Sequence, residues 1–128
     1  MVRAAKPIPD EATDGQVVTR ALMKAAGLLR ISQGELAQII GVSGSTVSRM
    51  KDGSAQLDVG SKPYQLAALF LRAWRSLDSI LGSRDEAARV WLRSPNTSFA
   101  EARPADLLMR PEGLVRVCDY LDSRRGRI

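Results

Sequence analysis

Polar side chains that could contact a nucleic acid are concentrated in residues 33–51. Hydroxyl groups follow one another closely there, and a guanidinium and an ammonium group come directly after them. Hydroxyls can bond to base edges and phosphates, and an arginine can bind guanine or a phosphate. The first turn of a helix also favours a phosphate, because its amides are free. The residue types of this segment are therefore suited to contacts with a nucleic acid.

The residue types of common catalytic and metal sites are missing. The chain of 128 residues has no histidine and one cysteine, Cys118. Ser/His and Cys/His dyads, histidine-containing zinc sites and a disulfide within the chain are therefore excluded. No glycine-rich phosphate loop or metal-ligand cluster is visible, so we expect no cofactor, no metal and no enzyme activity, although a Ser/Lys or carboxylate mechanism is not formally excluded.

Composition favours a folded protein that does not span a membrane. Hydrophobic residues make up 45% of the chain and charged residues 26%, with a net charge of +5. Such a charge is compatible with a polyanionic partner but does not require one. The most apolar stretch, residues 66–81, is interrupted by Arg72, Arg75 and Asp78, and the first residues lack the apolar core of a signal peptide. We expect a cytoplasmic location.

Three helices are predicted in the first half of the chain. Apolar residues recur at helical spacing from Gln16 to Arg30. Ser32 and Glu35 have the spacing of a capping box that starts a second helix, which Gly41 ends. Ser43 is a candidate cap for a third helix, over residues 44–51, in which Val47 and Met50 are expected to face the core.

The second half also has a helical pattern. A long helix is predicted from Pro63 to Gly82, and Ser83 with Glu86 suggests a second capping box. That box opens a helix with its apolar side chains, at Ala87, Val90, Trp91 and Leu92, directed inward. Pro104 and Pro111 each open a further helix. No strand pattern is present, so the fold class is predicted to be all-α, with some seven helices.

The spacing of Ala37, Gly41 and Val47 fits two helices that cross through a tight turn. A small residue is needed where the helices touch, a positive φ in the turn, and an apolar residue on the second helix. This segment resembles the DNA-binding helix-turn-helix of the Cro/repressor or Xre type. The resemblance implies that the third helix of the chain enters the major groove and that a dimer binds a two-fold site. The residues that it places towards DNA are Gln33, Gly44, Ser45, Thr46, Ser48, Arg49 and Lys51. A helical hairpin that packs or dimerises without touching DNA is the alternative.

The C-terminal half is similar to the toxin-binding domain of Xre/MbcA/ParS-type antitoxins. The similarity is carried by the blocks RSLDSILGSRDEAARVWLRSPNTSF, RPADLL, PEGLVRV and DYLDSRRGRI. It implies a protein that neutralises a RES-domain, NAD-degrading toxin by direct binding and represses its own operon. We therefore divide the chain into a mobile arm at residues 1–15, an Xre-like helix-turn-helix domain at 16–60 and a toxin-binding domain with a C-terminal tail at 61–128.

Most residues of those blocks are expected to build the domain rather than to bind a partner. Trp74 and Trp91 lie on apolar faces and are predicted to be core residues. Asn96 is predicted to be a turn or cap residue, and Gly113 to permit a close approach of helices. The chain departs from the family pattern after Asn96, where glycines are expected but the sequence reads Phe-Ala-Glu-Ala over residues 99–102.

The C-terminal run is the predicted toxin contact. It comprises Arg124, Arg125, Gly126, Arg127 and Ile128. In related antitoxins this region approaches the NAD site of the toxin, so the terminal carboxylate is expected to take the place of a phosphate there. The alternative is a solvated terminus whose arginines stabilise the last helix.

The partners expected from these resemblances are a RES-domain toxin and operator double-stranded DNA, with a homodimer and a higher assembly with toxin. A stand-alone dimeric repressor, whose C-terminal helices only dimerise, is the second hypothesis. The absence of a toxin gene beside its own would favour it.

Overall fold

The protein is a bundle of helices in which one long helix contacts most of the others. The computed structural model describes residues 13–126. Its helices are α1 (Asp14–Leu29), α2 (Gln33–Ile40), α3 (Gly44–Asp52), α4 (Lys62–Leu81), α5 (Asp85–Arg93), α6 (Pro104–Leu107) and α7 (Pro111–Arg125), with a 3-10 turn at Thr97–Phe99. Within this described part there is no strand, only an isolated bridge between Asn96 and Ala102. The all-α prediction is confirmed.

Side-chain caps define the first three helices. The Ser32 hydroxyl accepts from Glu35 N at 3.0 Å, and the Glu35 carboxylate accepts from Ser32 N at 2.9 Å. The predicted capping box is thus present. A second box at Thr13 starts α1 at Asp14, two residues before the predicted start. Asp14 and Gly15 therefore belong to α1 and not to the predicted arm, and Thr13 caps the helix. The other residues of the arm, 1–12, lie outside the described residues.

The helices α4 and α5 are joined by a tight reversal, and the second predicted capping box is wrong. Gly82 and Ser83 both have positive φ, 64° and 62°. In this conformation the Ser83 hydroxyl turns back and donates to Asp78 at 3.2 Å instead of capping α5. The N-cap of α5 is Arg84, which makes no side-chain cap bond.

One hydrophobic core joins the two halves of the chain. The core includes Leu22 and Ile40 from the first half and Phe70, Leu114 and Val117 from the second. The helix α4 packs against α1 and α2 on one side and against α7 on the other. The predicted helix-turn-helix and C-terminal segments are therefore packed on each other rather than separated by a free linker.

Polar contacts fix α7 on α4. The buried Ser76 hydroxyl donates to Asp122 at 2.8 Å, and Arg72 forms an ion pair with the same carboxylate. Asp122 is thus a structural acceptor between the two helices. Cys118 is buried beside it, and burial raises the pKa of its thiol. Among the described helices, none has the length and apolar character to cross a membrane.

Glycine and asparagine shape the chain before α7. Asn96 accepts from Ser98 N at 2.9 Å and caps the 3-10 turn, which confirms its predicted role. A Cβ on Gly113 would lie 2.1 Å from the Leu107 carbonyl oxygen, so only glycine fits this contact between α6 and α7. Ala100 and Glu101 have positive φ, 53° and 69°. The loop therefore keeps a glycine-like backbone without glycine.

Candidate nucleic-acid and protein interfaces

The helix α3 has one apolar face and one polar, exposed face. Val47 and Met50 are buried, as predicted, and they hold α3 against α2, where Ala37 is also buried. Most of the predicted nucleic-acid contacts point to solvent, and only Thr46 is half-buried. The exposed ones are Gln33, Gly44, Ser45, Ser48, Arg49 and Lys51.

The hydroxyl groups at the start of α3 form a small network. The Ser43 hydroxyl lies 3.1 Å from that of Ser45 and 2.9 Å from that of Thr46, and it accepts from Thr46 N at 3.1 Å. Arg49 donates to the Thr46 hydroxyl at 3.2 Å, so its guanidinium lies back towards the N-terminus of α3. The structure thus brings Ser45, Thr46 and Arg49 together at the N-terminal end of α3. In a DNA-binding helix-turn-helix, the N-terminal residues of this helix face the major groove.

Gln33 and Lys51 lie close together although they are on different helices. Both line one shallow depression, with Met23, Gly27 and Leu36. Gln33 is the first residue of α2, where free amides and the helix dipole favour an anion. An ammonium group beside that helix start provides a second attraction for a phosphate.

The predicted toxin-contact residues are only partly a tail. Arg124 and Arg125 are the last residues of α7, and both are exposed. The helix therefore continues further than the sequence suggested. The Arg124 guanidinium lies 5.9 Å from the centre of the Tyr120 ring, which orients it by a cation–π contact. Gly126 caps the helix, and Arg127 and Ile128 lie outside the described residues.

Three aromatic rings form a cluster between α5, the 3-10 turn and α7. Phe99 packs edge-on against Tyr120 at 5.0 Å and against Trp91 at 6.3 Å, and Trp91 stacks on Tyr120 at 6.4 Å. Phe99 is buried, but Trp91, like Trp74, is only half-buried. The prediction that both tryptophans are core residues is thus correct for packing but overstates their burial.

An open, largely apolar groove lies along the outer side of α5, and we call it the α5 groove. Its lining includes Leu81, Arg84, Ala87, Val90, Trp91 and Ser94. Val90 is 60% exposed, so the prediction that it faces inward is wrong. The buried face of α5 carries Ala88 and Leu92 instead. Arg89 and Arg93, each one position further along the chain, reach the first half of the molecule.

Sequence reasoning missed those two arginines. Arg89 donates to the Leu28 carbonyl at 2.8 Å. Arg93 forms two bonds to the Glu35 carboxylate, at 2.7 and 2.9 Å, and one to the Arg30 carbonyl at 3.3 Å. The pair lowers the pKa of Glu35 from 4.5 to about 2, chiefly through the Arg93 hydrogen bonds. The partners are 58 residues apart in sequence, so no local pattern could have indicated them.

Two family models match different parts of the chain. Residues 9–72 match the family model of the antitoxin Xre-like helix-turn-helix domain. Residues 76–127 match the model of the antitoxin Xre/MbcA/ParS C-terminal toxin-binding domain. No curated protein matches the chain.

A solved structure has the same fold. A chain in the crystal structure of the M. tuberculosis MbcT-MbcA toxin-antitoxin complex superposes with a TM-score of 0.64 and 24% sequence identity, over 88% of this chain and 96% of the other. Together the two family matches extend over nearly the whole of the described structure. The chain belongs to the Xre/MbcA/ParS antitoxins, with an Xre-like helix-turn-helix domain followed by a C-terminal toxin-binding domain.

Proposed function

We propose that this antitoxin binds a RES-domain, NAD-degrading toxin, blocks it sterically, and represses its own operon as a dimer bound to operator DNA. The observation that carries the proposal is the presence of two separate exposed surfaces in one chain whose two halves share a hydrophobic core. One is the polar face of α3, and the other is the C-terminal end of α7. We further propose that it acts in the cytoplasm as a binding protein and not as an enzyme.

The polar face of α3 supports DNA binding. Ser45, Ser48 and Arg49 are exposed on the helix that follows the turn, and such residues can read base edges in the major groove. Gln33 and Lys51 together are suited to a backbone phosphate. These short side chains give few contacts per chain, so a dimer on a two-fold site is needed for useful affinity.

The end of α7 supports a toxin contact. Arg124 and Arg125 are exposed there, and they precede Gly126, Arg127 and Ile128. Arginine can pair with acidic groups at the rim of a partner's site through two parallel bonds. We propose that residues 124–128 reach the NAD site of the toxin.

Neutralisation in cells tests the toxin part. The proposed RES-domain toxin is expressed alone, with the full chain, or with the chain lacking residues 124–128, and cellular NAD is measured. NAD should fall with toxin alone, remain high with the full chain and fall again with the shortened chain. Full protection by the shortened chain would exclude a role of the terminus. No protection by the full chain would leave a plain repressor.

Binding to the promoter tests the DNA part. Fluorescence anisotropy with a duplex of the operon promoter is compared with a scrambled duplex of equal length. We expect tighter binding to the promoter and a two-fold protein stoichiometry per site. Equal affinity for both duplexes would contradict sequence-specific repression.

A further inference from the structure

The α5 groove is an open and largely apolar surface. Its lining combines the apolar side chains of Leu81, Ala87, Val90 and Trp91 with charges of both signs, from Arg84, Asp85 and Glu86. Apolar area together with polar groups of mixed charge is the usual composition of a protein interface. A nucleic acid or an acidic membrane surface would instead require a rim with an excess of positive charge.

The other sides of α5 are already occupied within the chain. Ala88 and Leu92 are buried in the core. Arg89 and Arg93 bond to α1, α2 and the turn between them. The side that carries Val90 is thus the one left to solvent. A single exposed valine is common on protein surfaces, but a contiguous apolar concave surface often marks a binding site.

The groove is continuous with the C-terminal end of α7. Leu81 and Trp91 also line a second, smaller depression, together with Ile80, Tyr120 and Arg124. Arg124 belongs to the segment that we propose as a toxin contact. A folded partner that reaches residues 124–128 therefore lies next to the groove.

We propose that the α5 groove is the docking site for the toxin, and that it receives apolar side chains of the toxin while Arg124 and Arg125 make polar contacts beside it. This inference rests on the proposed function. It is also consistent with the family match, because every residue that lines the groove lies within residues 76–127, the part that matches a toxin-binding domain. Other sides of α4 and α5 pack on the first half of the chain and are therefore not free to contact a partner.

Two valines of equal exposure allow a matched test. Val90 in the groove is 60% exposed, and Val59 in the loop between α3 and α4 is 61% exposed. The variants Val90→Glu, Val90→Arg and Val59→Glu are prepared as full chains. The affinity of each for the purified RES-domain toxin that we propose as partner is measured by calorimetry, and folding is checked by thermal unfolding.

We expect both Val90 variants to bind the toxin about tenfold or more weakly, because a charge must be buried at the contact, and Val59→Glu to bind like the parent chain. Parent-like binding by Val90→Glu or Val90→Arg would overturn the inference. Loss of the homodimer with unchanged toxin affinity would also overturn it and would assign the groove to a second copy. A parent chain that does not bind the toxin would overturn both this inference and the proposed function. Parent-like toxin binding by the Val90 variants, or loss of the homodimer alone, would overturn only the inference about the groove.

Discussion

Arg93 on α5 and Glu35 on α2 form an ion pair with two hydrogen bonds, at 2.7 and 2.9 Å, between the toxin-binding and helix-turn-helix domains. Glu35 is also the residue that completes the capping box with Ser32 at the start of α2. The same carboxylate therefore fixes the first turn of α2 and holds α5 against it. Gln33, a proposed phosphate contact, lies in that first turn.

Removal of the arginine should weaken the link between the domains. Arg93→Met keeps the apolar stem but leaves Glu35 without its charged partner, and we expect the free energy of unfolding to fall by about 1 kcal/mol, because the pair is partly exposed. Urea unfolding measures the change. Arg103→Met is the control, since the Arg103–Asp106 pair is more exposed and within one turn; an equal loss in both variants would contradict a special role for Arg93.

The same pair predicts a pH dependence. The pKa of Glu35 is about 2 in the folded protein against an ordinary value of 4.5. Its contribution to stability is therefore complete above pH 4.5 and is lost as the pH falls from 4.5 towards 2. The stability difference between the parent chain and Arg93→Met, measured by urea unfolding at several pH values, should shrink over that interval. A difference that stays constant would contradict the low pKa.

Gly113 should not tolerate a side chain. A Cβ there would lie 2.1 Å from the Leu107 carbonyl oxygen and 2.8 Å from its carbon. Gly113→Ala should therefore lower the free energy of unfolding by about 1–3 kcal/mol through overpacking. Gly27→Ala in α1 is the control, because no atom lies within 4 Å of its added Cβ. In thermal unfolding, Gly27→Ala should be as stable as the parent or more stable. Parent-like stability of Gly113→Ala would contradict the close contact with Leu107.

The loop after Asn96 offers a stabilising change. Glu101 has a φ of 69°, a conformation that costs a residue with a Cβ about 1 kcal/mol or more relative to glycine. Glu101→Gly should therefore raise the melting temperature. Asp119→Gly, on the exposed side of α7, should lower it, because glycine weakens a helix by about 1 kcal/mol. A fall in both variants would show that the loop gains nothing from glycine.

Lys51 should act on DNA without regard to sequence. Lys51→Ala removes a proposed phosphate contact, so we expect weaker binding to promoter and scrambled duplexes alike, and a salt slope that is smaller by about 1. Anisotropy titrations over a range of salt concentrations measure the slope. Arg110→Ala removes the same charge from the toxin-binding domain and should leave the slope unchanged; equal effects would point to net charge alone.

Local signals in the sequence determined the helices and the turn between α2 and α3. The residues that cap helices act on neighbours within one or two turns, so their spacing in the sequence sufficed to place helix ends. These residues are Ser32 with Glu35, Gly41, Ser43 and Gly82. The buried positions Val47 and Met50 followed from helical periodicity for the same reason. The sequence blocks in the second half also identified the family, because this similarity depends on the order of residues along the chain and not on their tertiary contacts.

The tertiary structure alone decided how the two halves meet and which face of α5 is free. The Arg93–Glu35 pair joins residues far apart in sequence, and so does the bond from Arg89 to the Leu28 carbonyl. With α5 packed in this way, Ala88 and Leu92 are buried and Val90 is exposed. Periodicity cannot distinguish an apolar side chain in the core from one in an open groove, since both lie on the same helix and both are hydrophobic. That distinction is set by what packs against the helix, and it determines which surface is available to a partner.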